Sequence, residues 1–122
     1  MKPGKTGLQR LIDATTYSAK GIQACWRNEA AFRQEVILLL VLLPASLFVA
    51  RSIEQWLLLV TPLLLLLIVE LLNSAIESVV DRIGNERHDL SGRAKDMGSA
   101  AVLLCLVMTG LTWLTIGWKN LA

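Results

Sequence analysis

The sequence predicts an all-α membrane protein, with an N-terminal amphipathic surface helix followed by three transmembrane helices. Three observations carry this. Of 122 residues, 54% are hydrophobic and the mean hydropathy is +0.54, whereas soluble domains run about 45–50% apolar. The excess sits in long uninterrupted runs, which is what a bilayer demands. The run nearest the N-terminus instead alternates polar and apolar residues at helical spacing. The length suits one domain over residues 1–122. The net charge of +2 gives no ground for a nucleic-acid partner.

Residues 7–28 form the first expected helix. Leu8, Leu11, Ile12, Thr15, Ile22 and Trp26 share one face; Arg10, Asp13, Tyr17 and Lys20 share the other. The segment is too polar to span a bilayer and is expected to lie on the membrane surface. The first apolar run, Val36 to Ala50 with Phe32 before it, marks a span over about 30–50. A span needs about 20 residues, so Arg33 and Glu35 must sit near the interface. Pro44 is expected to kink it. After the short loop 51–55, a second span covers 54–83, from the run Trp56 to Val69 with Pro62 inside it, and stops at Gly84. Residues 85–92 form a polar connection. Asp89 or Ser91 is the expected cap of a third span over 91–119, uncharged from Met97 to Trp118. The sequence shows no internal repeat.

Basic residues orient the spans. Lys2, Lys5, Arg10, Lys20, Arg27 and Arg33 precede the first span, and Arg82, Arg87, Arg93 and Lys95 border the second connection. The other connection holds Arg51 and the C-terminal tail Lys119. The N-terminus is therefore expected in the cytoplasm and the C-terminus in the periplasm. Trp56, Trp113 and Trp118 then fall at the outer interface, as an aromatic belt does. No apolar h-region follows Lys2 and Lys5, so no cleaved signal peptide is expected. Cys25 and Cys105 lie in different environments and are expected to be free thiols.

The residues that ask for an explanation are Glu70, Asn73 and Glu77. Their spacing puts them on one stripe of the second span. At about 1.5 Å per residue from Trp56, Glu70 lies roughly 21 Å in from the outer interface, inside a hydrocarbon layer about 30 Å thick. A carboxylate there costs up to about 2.5–3.5 kcal/mol and marks a functional site by default, the alternative being a helix-packing polar group. Glu29, at the cytoplasmic end of the first span, is expected at the depth of Glu77. Two carboxylates together suit a Mg²⁺ ion that also takes substrate phosphates. Taken alone, Glu29 reads as a surface pair with Arg33. Lys95 and Asp96 begin the third helix, where a helix N-terminus and a lysine attract phosphate; taken singly, Lys95 reads as interfacial charge and His88 as a solvated loop residue. Gly4-Lys5-Thr6 has no preceding strand and follows Pro3, so it is not a P-loop. His88-Asp89-Leu90 lacks the other protein-kinase signatures.

Four blocks carry a family resemblance: residues 29–35 (EAAFRQE), 69–77 (VELLNSAIE), 81–84 (DRIG) and 90–102 (LSGRAKDMGSAAV). Together they resemble the Gram-negative type of bacterial diacylglycerol kinase, over essentially the whole chain. The resemblance implies a homotrimer in the inner membrane that phosphorylates diacylglycerol to phosphatidic acid with MgATP, serving lipid recycling. By resemblance, Glu70 is the general base and Asn73 supports it, and Glu29 and Glu77 hold the metal. ATP is contacted by Arg10, Tyr17, Glu29, Glu77, Glu86, Arg87, His88, Lys95 and Asp96. The lipid substrate is contacted by Arg10, Gln34, Glu35, Glu70 and Ser99. Pro44, Pro62 and Val36 depart from the family pattern.

Two other functions compete. Undecaprenol kinase shares Glu29, Glu70, Glu77, Lys95 and Asp96, but the segments Ser91-Gly92-Arg93 and Met97-Gly98-Ser99 favour diacylglycerol. A small proton-coupled transporter also uses an intramembrane carboxylate, with four spans and short loops, unlike this chain. Independently of any family, three short spans are expected to need self-association to shield Glu70 and Asn73 from lipid.

Overall fold

The computed structural model describes residues 6–84 and 88–122. They form four helices in chain order: α1 (Gly7–Asn28), α2 (Ala30–Val49), α3 (Ile53–Ile83) and α4 (Asp89–Leu121). The last three are long and apolar enough to cross a membrane. With its many lipid-ready side chains, such as Phe48, Leu114 and Trp118 on the outside, this is a membrane protein.

Three of the four helices, α1, α3 and α4, start where a side chain offers an acceptor. Thr6 Oγ1 takes the Gln9 N–H at 3.5 Å, and Ser52 Oγ takes the Gln55 N–H at 3.1 Å. The cap of α4 is neither Asp89 nor Ser91 but His88, whose Nδ1 accepts the Leu90 N–H at 3.1 Å. An imidazole nitrogen thus does the work of an Asx oxygen, and Asp89 moves into the first turn, where a negative charge suits the helix dipole. Glu29 is the hinge between α1 and α2, with extended backbone at φ −122° and ψ 107°. Its N–H closes α1 on Cys25 O at 2.9 Å, and its carboxylate makes no cap to α2.

α3 is the centre of the bundle, packed against both α2 and α4. Leu59, Leu63 and Leu66 on it are fully buried. Lipid tails are as apolar as leucine, so this packing is held by close van der Waals contact and interhelical hydrogen bonds rather than by exclusion of water. Both prolines lie inside continuous helices, Pro44 in α2 and Pro62 in α3. Pro62 brings no N–H to the helix ladder. In the turn before it, Leu59 O accepts the Trp113 indole N–H at 3.0 Å, which also ties α4 to α3.

A polar clasp closes the end of the bundle opposite Glu29. Asn120 is only 6% exposed. Its Nδ2 donates to Val49 O and to Gln55 Oε1, both at 2.7 Å. Gln55 Oε1 also accepts the Arg51 N–H at 2.9 Å, and the Arg51 guanidinium donates to Asn120 O. One residue therefore joins the ends of α2 and α4 to the start of α3. Replacing it removes two interhelical bonds and orphans a carbonyl. Asn120→Ala is expected to destabilise the bundle by on the order of 1–2 kcal/mol, read as a lower thermal midpoint in detergent with unchanged helix content by circular dichroism.

Candidate functional site

The carboxylate stripe lies on the half of α3 away from the clasp. Glu70 is 4% exposed, deep between helices. Glu70 feels the charges of Glu77 and Glu29, and Glu35 of α2 feels that of Glu70. Asn73 and Glu77 are one helical turn apart, and Asn73 Nδ2 donates to Glu77 Oε1 at 3.0 Å. The same turn carries Ser74, whose Oγ takes the Cys25 thiol at 3.6 Å, the bond that docks α1 on α3. Glu29 does not pair with Arg33. The guanidinium turns back instead, and Nη1 donates to Trp26 O at 2.6 Å and Arg27 O at 3.2 Å. Both free cysteines are buried.

The first turns of α4 carry Arg93 and Lys95. Lys95 Nζ donates to Asp81 Oδ1 at 2.9 Å, bridging α3 and α4, and it also feels the charge of Glu77. Both ends of that bridge are well exposed, so it adds little to stability and leaves the ammonium accessible. His88, Arg93 and Asp96 border a groove of about 640 Å³ on the first turns of α4. Glu86 and Arg87 lie outside the described residues. Ser99 and Gln34 are exposed on α4 and α2. Glu35 is half-buried and keeps Oε2 without a hydrogen bond.

Arg10 and Tyr17 are not brought to the carboxylates within the chain. Both are exposed on α1, and Tyr17 instead lies under Lys20, 5.9 Å from ring centroid to Nζ. Along α1, Arg10 stands roughly 28 Å from Glu29 at about 1.5 Å per residue. Sequence spacing found the Glu70 stripe, but it gave no role to Asp81, Ser74 or Cys25. Those contacts join residues far apart in the chain, which no local period reveals.

An apolar wedge of about 1170 Å³ opens between α1 and the α2/α3 pair, lined among others by Ile22, Trp26, Phe32, Val36, Leu64 and Ile68. Among the described residues no three His, Cys, Asp or Glu side chains come close enough to hold a metal ion by themselves. The Glu29 and Glu77 donors are hard oxygens, a set that fits Mg²⁺ when nucleotide phosphates and water complete the shell.

A buried carboxylate on a bilayer-length helix marks a class of integral membrane proteins with a functional site inside the bilayer. The family model for prokaryotic diacylglycerol kinase matches residues 16–117. Diacylglycerol kinase of Escherichia coli (strain K12) is 48% identical over 120 residues, covering 98% of each chain. Diacylglycerol kinase of Pseudomonas aeruginosa is 52% identical over 113 residues, covering 93% of this chain and 92% of that one. That of Haemophilus influenzae is 48% identical over 108 residues, covering 88% and 92%. The chain belongs to the prokaryotic diacylglycerol kinase family.

The docking of α1 makes its own prediction. Burial pushes the Cys25 thiol above its ordinary range, and the neighbouring Glu29, Glu70 and Glu35 charges push the same way against the Ser74 hydrogen bond. A raised value keeps the thiol protonated through neutral pH, so its reactivity rises only in alkali. Iodoacetamide at pH 7 is expected to label Cys25 slowly in the folded protein and fully after denaturation, read by mass spectrometry. Fast labelling of the folded protein shows α1 undocked from α3.

Proposed function

We infer that the protein transfers the γ-phosphoryl group of ATP to the free hydroxyl of diacylglycerol, giving phosphatidic acid and ADP at the cytoplasmic face of a bacterial inner membrane. The single observation that carries this is Glu70, a carboxylate 4% exposed in a bilayer-length helix, set beside the acidic pair Glu29 and Glu77. Family membership supplies the reaction class, and positive-inside charge supplies the orientation, with the N-terminus cytoplasmic and the C-terminus periplasmic.

Phosphoryl transfer needs positioning and charge stabilisation more than covalent chemistry. Glu70 takes the proton of the lipid hydroxyl as its oxygen bonds to the γ-phosphorus. The bond to the β–γ bridging oxygen breaks, and ADP leaves with that electron pair. Asn73 holds Glu77 in place through Nδ2. Glu29 and Glu77 are the residues to hold Mg²⁺, which when bound neutralises charge on the phosphate oxygens. Glu29 is suited to it because neither Arg33 nor the start of α2 takes its carboxylate. Lys95, Asp96 and His88, at the N-terminal end of α4, receive the nucleotide together with Glu86 and Arg87. The α4 dipole and the Lys95 ammonium favour its phosphates. Gln34, Glu35 and Ser99 flank the lipid glycerol, and the apolar wedge beside α1 suits acyl chains.

We place α1 on the membrane surface as an amphipathic helix within a single domain of residues 1–122. Its apolar residues Leu8, Leu11 and Ile12 are exposed, as an interfacial helix requires. The chain alone already buries Glu70 and Asn73, so shielding of those groups is not what calls for self-association. The homotrimer rests on the resemblance and on the distance of Arg10 and Tyr17 from the carboxylates of their own chain. A site shared between copies removes that distance.

The test is ADP release by purified protein in lipid–detergent micelles with MgATP, with and without diacylglycerol, alongside undecaprenol. Diacylglycerol-dependent phosphatidic acid is expected. Turnover with undecaprenol alone moves the substrate assignment. Glu70→Gln is expected to fold and insert normally yet lose about 10²–10⁴-fold in turnover; retention of most of the activity removes Glu70 as base.

A further inference from the structure

We propose that Gly98 is a positioning residue that sets the Asn73 carboxamide against Glu77. Gly98 is buried on α4, facing Asn73 on α3. A Cβ built at position 98 meets Asn73 Oδ1 at 2.0 Å and Asn73 Cγ at 3.0 Å. Its three nearest atoms all belong to that one side chain. By contrast, Gly92, Gly110 and Gly117 on the same helix have nothing within 4 Å of such an atom. Glycine is a poor helix former, and Gly98 sits in the interior of a 33-residue helix. Its backbone is ordinary helix, so what the position needs is the missing side chain.

Asn73 is 8% exposed. Its Oδ1 is buried and has no hydrogen-bond partner among the described residues, while Nδ2 donates to Glu77 Oε1 at 3.0 Å. A carboxamide has two donors on one end and none on the other, so only one orientation serves the carboxylate. The bare Cα of Gly98 lets the oxygen end rest against α4, where a Cα–H is a weak donor. The nitrogen end then faces Glu77. With a methyl group at 98, either the carboxamide rotates or α4 moves off α3, and each outcome lengthens the Nδ2–Oε1 bond. Asn73 is thus the outer partner of a metal-holding carboxylate, and Gly98 is what holds that partner. Outer partners of this kind change metal affinity by roughly 10–100-fold when removed. The metal part rests on the proposed role of Glu77; the contact between Gly98 and Asn73 does not.

The experiment is a double-mutant cycle with two readouts. Thermal stability in detergent reads the contact. Gly98→Ala is expected to lower the midpoint in the parent chain and to leave it unchanged or raise it in Asn73→Ala, where the opposing atoms are gone. An equal loss in both backgrounds overturns the contact. Turnover against Mg²⁺ concentration reads the positioning. Gly98→Ala is expected to raise half-saturating Mg²⁺ by roughly 10–100-fold, with the half-saturating diacylglycerol concentration changed less than about twofold. An unchanged Mg²⁺ requirement in a folded variant overturns the positioning role. Should Gly98→Ala not assemble, Asn73→Ser removes Nδ2 without touching α4. It is expected to show the same Mg²⁺ shift, and normal Mg²⁺ dependence there overturns the proposal. Absence of turnover from the parent chain is the separate mark of a wrong functional reading, and it overturns the metal part while the stability cycle still decides the contact.

Discussion

Glu70 sits where a bilayer offers no water, and most of the architecture can be read as the cost of putting it there. A carboxylate in that position needs covering on all sides and polar company close by. The covering comes from α2 and α4, which pack on α3 and make it the central helix, with Leu59, Leu63 and Leu66 fully buried between them. The company comes from Asn73, Glu77 and the residues that α1 and α2 bring up at Glu29 and Glu35. Like charges repel, so these carboxylates do not stabilise the bundle by their mutual charge; the proposed function gives them a cation to hold.

The two ends of the bundle are built by different physics. At one end Asn120, Gln55 and Arg51 bond each other and Val49 by neutral or singly charged hydrogen bonds. At the other end the acidic groups outnumber their described partners, and the cations stand on the exposed first turns of α4. The paired end holds the helices together, and the unpaired end is left free to bind. The clasp at Gln55 and the carboxylate at Glu70 are separated by roughly 22 Å along α3 at about 1.5 Å per residue.

The membrane class was legible in the sequence because apolar run length is a direct statement about the solvent. The Glu70 stripe was legible because three, four and seven residues share a helical face. The start of α4 was less so: it is capped by an imidazole, which no composition rule anticipates. The Glu29–Arg33 pair failed because main-chain carbonyls at the α1–α2 joint were nearer acceptors for the guanidinium. Both prolines lie inside the helices, as the expected spans had them, and at Pro62 an indole from α4 bonds the preceding turn, a contact that the chain order does not disclose. The Lys95–Asp81 bridge and the Gly98–Asn73 contact depend on how α3 and α4 come together, and a one-dimensional pattern does not hold that information.

The hinge at Glu29 joins two helices through one residue. A joint that short has no slack: α1 cannot tilt without swinging the Glu29 carboxylate through an arc of the same angle. A lever of 22 residues thus ends in an acidic group beside the buried centre. With α1 placed on the membrane surface as proposed, the crowding and charge of the headgroups would reach the acidic residues through the pitch of that lever. The bilayer is then not only the solvent of the protein but a gauge wired into its interior.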